Sequence, residues 1–151
     1  RHQILARYYY PYRVRANDRV KQAIAGRGRV IHVSSHSFTP ELDGKLRAAD
    51  IGLLYDPARP GEVDLCERWK AALLACAPGL TVRRNYPYAG RGDGLTAWFR
   101  RRLPDGAYVG IELEVNQKHV VPAGRTWTAL RRVIVESLLR ALASRRSAIS
   151  G

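Results

Sequence analysis

No apolar run in the sequence approaches the roughly 18–20 residues that a bilayer span requires, so a membrane helix is not expected. The opening residues are charged and rich in tyrosine, which breaks the continuous apolar stretch of a secretory signal. The cytoplasm is therefore the expected compartment, with no membrane partner. Cysteine is scarce, with only Cys66 and Cys76 present. Ten positions apart on one predicted helix, they lie about 15 Å from each other, far beyond disulfide reach. They read as buried thiols of a reducing compartment, and their spacing makes no zinc knuckle. Internal repeats, low-complexity tracts and long linkers are missing as well.

Acidic residues are few, 13 against 26 lysines and arginines, which leaves a formal net charge of +13. Such an excess fits a nucleic acid, an anionic surface or an acidic substrate. The basic residues are spread over the predicted helices rather than gathered in one tract, so they read first as a solvated, arginine-rich surface. Specific nucleic-acid recognition is not expected, because neither a reading helix nor a stacking surface is visible.

What remains is a chain of 151 residues with an ordinary apolar fraction of 46%, enough for a single domain with a real core. A helix is predicted from the start to about Ile24, broken or restarted at Pro11 and stopped by Gly26 and Gly28. Strands fit residues 29–36 and 50–55, the second closed by Asp56-Pro57. A helix follows from Pro60 to about Ala77, with Leu65, Trp69, Ala72 and Leu73 on one face. Beyond a short strand at 81–83 come the loop 85–94, a helix at 95–103, a strand at 107–115 and a final helix at 125–143. On that last helix Trp127, Leu130, Ile134, Leu138 and Leu142 form an inward stripe, while Arg131, Arg132 and Arg140 face water. The alternation predicts a three-layer α/β/α sandwich with a mixed, largely parallel sheet. Ligands in such sheets bind beyond the carboxyl ends of the strands.

Three segments carry candidate chemistry. His36 ends an apolar strand ahead of Pro40, which forces the chain to turn outward nearby. An imidazole there is a good zinc ligand; by spacing alone it reads first as a core histidine bonded to backbone. His32 shares its strand parity but stands about 13 Å away, too far for both to hold one metal ion. Glu112 and Glu114 point to one face of the most strand-like run, with Ile111, Leu113 and Val115 on the other. Glu114, nearer the strand's carboxyl end, suits general-base work. A solvated sheet face, or a pair with arginine, is the blander account of both carboxylates. The loop from Arg83 to Gly94 combines two leading arginines, an asparagine, two tyrosines and glycines that let backbone approach a ligand. It reads either as a substrate-carboxylate clamp or as a plain connection. Its spaced glycines are not a phosphate-binding signature, since no lysine-serine follows. Asp43 and Arg47 flank Gly44 and either pair with each other or face the site.

Taken in order, Val33-Ser34-Ser35-His36-Ser37-Phe38-Thr39-Pro40, Arg47 to Asp56, Asn85-Tyr86-Pro87-Tyr88-Ala89-Gly90 and Glu112-Leu113-Glu114-Val115-Asn116-Gln117 resemble the N-formylglutamate amidohydrolases. The resemblance runs over roughly residues 8 to 117 and is to the C-terminal portion of that family; more distantly, the chain resembles zinc carboxypeptidases. It implies a zinc-dependent hydrolysis of a linear amide, N-formyl-L-glutamate or a related N-acyl amino acid, as in histidine catabolism. It also implies His36 as a zinc ligand, Glu114 as general base, and Arg47, Arg84, Asn85 and Tyr88 as residues that face the substrate. Family members are longer and carry further zinc ligands ahead of the part matched here, so one ligand is identifiable in this chain. The N-terminal part is accordingly expected to be missing, and the alternative is a catalytically incomplete relative that acts as a binding domain. Sheet edges left open in that way are a reason to expect association between copies, or instability.

Overall fold

A computed structural model describes residues 2–92, 94–121 and 124–147. The chain opens with a short helix α1 (His2–Ile4), a π-helical turn (Leu5–Tyr9) and the long helix α2 (Tyr10–Arg27). Pro11 sits in the first turn of α2, where its missing N–H and fixed φ do no harm. Gly28, at φ 71°, closes the helix in the left-handed conformation, its N–H donating to the Ile24 carbonyl. Strands β1 (Val30–Phe38), β2 (Glu41–Leu42), β3 (Lys45–Leu46) and β4 (Ile51–Leu54) follow. Then come helix α3 (Pro60–Cys76), strand β5 (Val82–Arg84), helix α4 (Leu95–Arg100), strand β6 (Tyr108–Asn116), helix α5 (Gln117–Val120) and helix α6 (Arg125–Ser147).

Four strands form one sheet in the order β1-β6-β4-β5. β1 runs parallel to β6 and β4 parallel to β5, but β4 and β6 are antiparallel, so the sheet is mixed. Val109, Ile111, Leu113 and Val115 face α3 and α6 in the main core, where Leu65, Trp69 and Leu73 are fully enclosed. Each such large side chain contributes about 1.5–3 kcal/mol through burial. Trp69 also needs a partner for its indole N–H, and donates it to Ser137 Oγ on α6 at 3.1 Å. On the opposite face α2 and α4 pack Val20 and Phe99 against Tyr108. Helices on both sides of the sheet make the three layers.

Several boundaries differ from those the sequence predicts: α2 runs through Gly26 to Arg27, α6 runs on to Ser147, and the short helix α5 is unforeseen. β1 continues two residues past His36, where Ser37 and Phe38 still pair with Val115 and Asn116 of β6 and the Phe38 ring is buried. α4 stops at Arg100 rather than near Leu103. The segment after Pro40 is a two-stranded hairpin, β2–β3, turned by Asp43 at φ 51° and Gly44 at φ 71°. Two left-handed central residues are what a tight hairpin requires. Cys66 is buried and Cys76 half-buried, both free thiols.

A buried carboxylate ties the layers together below the sheet's site end. Glu62, fully enclosed on α3, accepts the Gly110 N–H at 3.0 Å and the Asp56 N–H at 2.8 Å. The Arg100 Nε donates to it at 3.0 Å, and Arg59 stands at 3.3 Å. Arg100 in turn donates to the carbonyls of Gly90 and Gly110 at 2.5 and 2.7 Å. The loop after β5 and the middle of β6 are therefore held by the same guanidinium.

Candidate active site

Register places the chemistry in one row across the sheet. His36 on β1 lies beside Glu114 on β6, Glu114 beside Gly52 on β4, and Gly52 beside Arg83 on β5. Paired residues project to the same face, here the face that α2 and α4 cover only in part. Two residues back along the strands, on the same face, Ser34 lies beside Glu112. The sequence parity of Glu112 and Glu114 thus survives in the fold.

Glu114 is buried, and its Oε2 has no hydrogen-bond partner among the described residues. Burial holds its carboxyl above the usual range; the neighbouring His36 draws it down, Glu112 pushes it up and Arg47 draws it down again, with a net rise. A desolvated carboxylate with a free oxygen is a competent proton acceptor near neutral pH. His36 is exposed, and its Nε2 sits 2.9 Å from Ser34 Oγ. Neither blander account applies: His36 is not a core histidine, and Glu114 makes no ion pair among the described residues. Glu112 is bonded to the hydroxyl of the buried Thr96. His32, the other histidine of β1, is turned to Tyr108, its Nδ1 2.7 Å from the phenol oxygen; burial holds its pKa down.

Gly52 is the reason the loop after β5 can lie on this face. A methyl group there would run into the Tyr86 carbonyl oxygen, with the Tyr86 carbonyl carbon at 3.1 Å and Glu114 Cβ at 3.3 Å. The backbone of Tyr86 therefore rests over β4 next to the carboxylate. Its ring meets Phe38 edge-on, 6.3 Å between centroids, and the Arg83 guanidinium stands 5.1 Å above it. Beside them Arg47 donates to the Tyr88 hydroxyl at 3.1 Å and stacks 5.2 Å from that ring.

Of the residues expected to face a substrate, Arg47 and Tyr88 meet each other on this side. Arg84 and Asn85 do not join them. Arg84 is bonded to Glu67 on α3 at 3.0 Å, at the sheet's outer edge. The Asn85 amide oxygen accepts the N–H groups of Tyr55 and Gly90 at 2.9 and 3.2 Å, with the residue itself at φ 49°. That is a turn-forming role natural to asparagine. A cleft of about 620 Å³ opens on the other side of His36, lined by Ser34, Glu112, Trp98, Arg13 and Arg101, with Tyr9 and Tyr12 at its rim. Ser34 and Glu112 meet through strand register, whereas Tyr12, Arg13, Trp98 and Arg101 reach them only through the packing of α2 and α4. A hollow of similar size, about 640 Å³, lies along the exposed side of α6, away from this row.

A catalytic zinc takes three protein ligands and keeps one position open. Among the described residues no three histidine, cysteine, aspartate or glutamate side chains gather closely enough to hold a metal ion. His36 can give one imidazole; these residues do not make a complete centre.

A sequence model of N-formylglutamate amidohydrolase matches residues 1–121. The chain belongs to that family. Every residue of the row and of the cleft falls within the matched span. Among solved structures, a gene product of Agrobacterium tumefaciens is 33% identical, with a TM-score of 0.60, covering 86% of this chain and 50% of the other. An N-formylglutamate amidohydrolase of Ralstonia eutropha JMP134 shares the fold at a TM-score of 0.71 and 21% identity, covering 97% of this chain and 56% of the other. The chain thus spans about half the length of these relatives. No curated protein matches it. No helix among the described residues is long and apolar enough to cross a membrane.

Proposed function

We propose that this chain carries the general-base half of an amidohydrolase site that cleaves N-formyl-L-glutamate or a related N-acyl amino acid. The observation that carries the reading is Glu114: a buried carboxylate with an unpartnered oxygen, beside His36, in a chain of this family. Glu114 takes a proton from the attacking water, whose oxygen bonds to the amide carbon. The same proton is handed to the departing nitrogen as the C–N bond breaks, leaving a carboxylate and a free amino acid. Glu114 is buried, with the Tyr86 carbonyl group seated over Gly52 beside it, and exclusion of water strengthens the electrostatics at a carboxylate.

Zinc dependence is part of the proposal and rests on His36 as one ligand. A zinc ion held in part by His36 would lower the pKa of the attacking water and polarise the amide carbonyl. Among the described residues no set of three ligands gathers around His36. Glu114→Gln is expected to abolish release of glutamate from N-formyl-L-glutamate while leaving metal content unchanged. Unchanged turnover in that variant would refute the assignment.

A further inference from the structure

The arginines expected to grip a substrate carboxylate are otherwise engaged: Arg84 holds Glu67, and Arg47 is bonded to Tyr88. Neither lines the cleft that opens beside His36. Two others do. Arg13 reaches it from α2 and Arg101 from the end of α4, and they share it with His36, Ser34 and Glu112. Arg13 is half-buried, its guanidinium carbon 4.9 Å from the ring centre of Trp98 and 5.6 Å from that of Tyr9. A guanidinium held against two aromatic faces keeps its N–H edge directed outward and loses little freedom when it binds.

Neither arginine makes an ion pair among the described residues. Glu112, the acid that shares their cleft, already has the Thr96 hydroxyl on one oxygen. Two positive groups against one engaged carboxylate leave the cleft with an excess of positive charge, and a planar fork matches a carboxylate in two parallel bonds.

We propose that Arg13 and Arg101 form the anion subsite of this cleft and receive a carboxylate of the substrate. The substrate would then lie along β1, its carboxylate toward α2 and α4 and its amide toward Glu114. The identity of the anion as a substrate rests on the hydrolytic reading above; the existence of the subsite does not.

Glutarate, a dicarboxylate with no amide to cleave, separates the two. Its binding to the 151-residue chain is measured by isothermal titration calorimetry for wild type, Arg13→Gln, Arg101→Gln and Arg132→Gln, the last on the exposed side of α6. A lost charge-assisted bond should weaken the dissociation constant by about tenfold or more in each of the first two variants. Arg132→Gln should stay within about twofold, since surface charges away from the site act weakly. Arg13→Lys, which keeps the charge and loses the fork, should fall between wild type and Arg13→Gln. Melting curves identify any variant that fails to fold, and Arg101→Gln, on an exposed side chain, keeps the test open if Arg13→Gln does. Absence of glutarate binding, or equal weakening by Arg132→Gln, overturns the subsite. Arginine-dependent binding combined with a fully active Glu114→Gln would keep the subsite and refute the hydrolytic reading instead.

Discussion

Replacing Gly52 by alanine tests whether the loop after β5 is seated on the sheet by close backbone approach. The added methyl would meet the Tyr86 carbonyl oxygen well inside 3.0 Å, with Tyr86 C and Glu114 Cβ at 3.1 and 3.3 Å. Two of these three atoms are backbone and cannot rotate away, and the third belongs to a strand paired on both sides. Relief therefore requires moving the loop, whose two ends are fastened by Asn85 to Tyr55 and by Arg100 to Gly90. Overpacking of this kind costs about 1–3 kcal/mol, and the rigidity of both neighbours places this case near 3 kcal/mol. For a chain of this size that is a fall in Tm of about 6–12 °C. Urea unfolding followed by circular dichroism gives the free energy directly. Gly92→Ala is the control, because its methyl would find only the Ala89 carbonyl oxygen at an ordinary 3.4 Å. A Gly52→Ala variant within about 0.5 kcal/mol of wild type, the range of neutral surface changes, would refute the close-approach account.

Glu62→Gln leaves two guanidiniums, Arg59 and Arg100, facing a neutral group in a buried site. Breaking such a network from one side costs about 3–5 kcal/mol, and chemical denaturation should show a loss of that order; a loss below 1 kcal/mol would contradict it. Asp50 offers a pH signature. Its burial favours the neutral acid, but hydrogen bonds from Lys118, the Thr81 N–H and His119 outweigh this and hold its carboxyl below the usual range. The unfolded chain then binds the extra proton first, so this contribution is present above the unfolded carboxyl pKa and is lost as pH falls through the folded value. Asp50→Asn should flatten that part of the stability curve between about pH 4 and the acid limit; an unchanged acid slope would show that another group is responsible.

Most elements were legible because their signals are local. The β-branched run of β1, the Val-Gly-Ile alternation of β6 and the apolar stripes of α3 and α6 read directly from spacing. The hairpin β2–β3 went unread although Asp43-Gly44 is a strong turn signal, since its two-residue strands are too short for any alternation to register. The antiparallel placement of β4 beside β6 is a pairing between residues some sixty positions apart, and no local pattern encodes it. The same distinction separates the site residues. Strand parity sets Glu112 and Glu114 on one face, whereas the family resemblance singles out His36, spacing alone favouring a core histidine. Arg84 and Asn85 were expected at the substrate because composition shows which groups a loop owns, but not which neighbours claim them. Glu67 on α3 and the N–H groups of Tyr55 and Gly90 do so here. Arg13 and Trp98 meet only because two helices cross the same face of the sheet, and the sequence holds no sign of that encounter.

The position of β6 has a consequence for the order of assembly during synthesis. It lies between β1 and β4 and pairs with both, yet leaves the ribosome after either. Until residue 116 has emerged, β1 has no strand beside it and β4 has only the three residues of β5. Such waiting edges are exposed to wrong partners, and non-local closure of this kind slows folding. A nascent chain stopped short of β6 should therefore hold no more than the β4–β5 pair at its candidate site, and should engage chaperones that bind open strands. One extended to Asn116 has all four strands in hand.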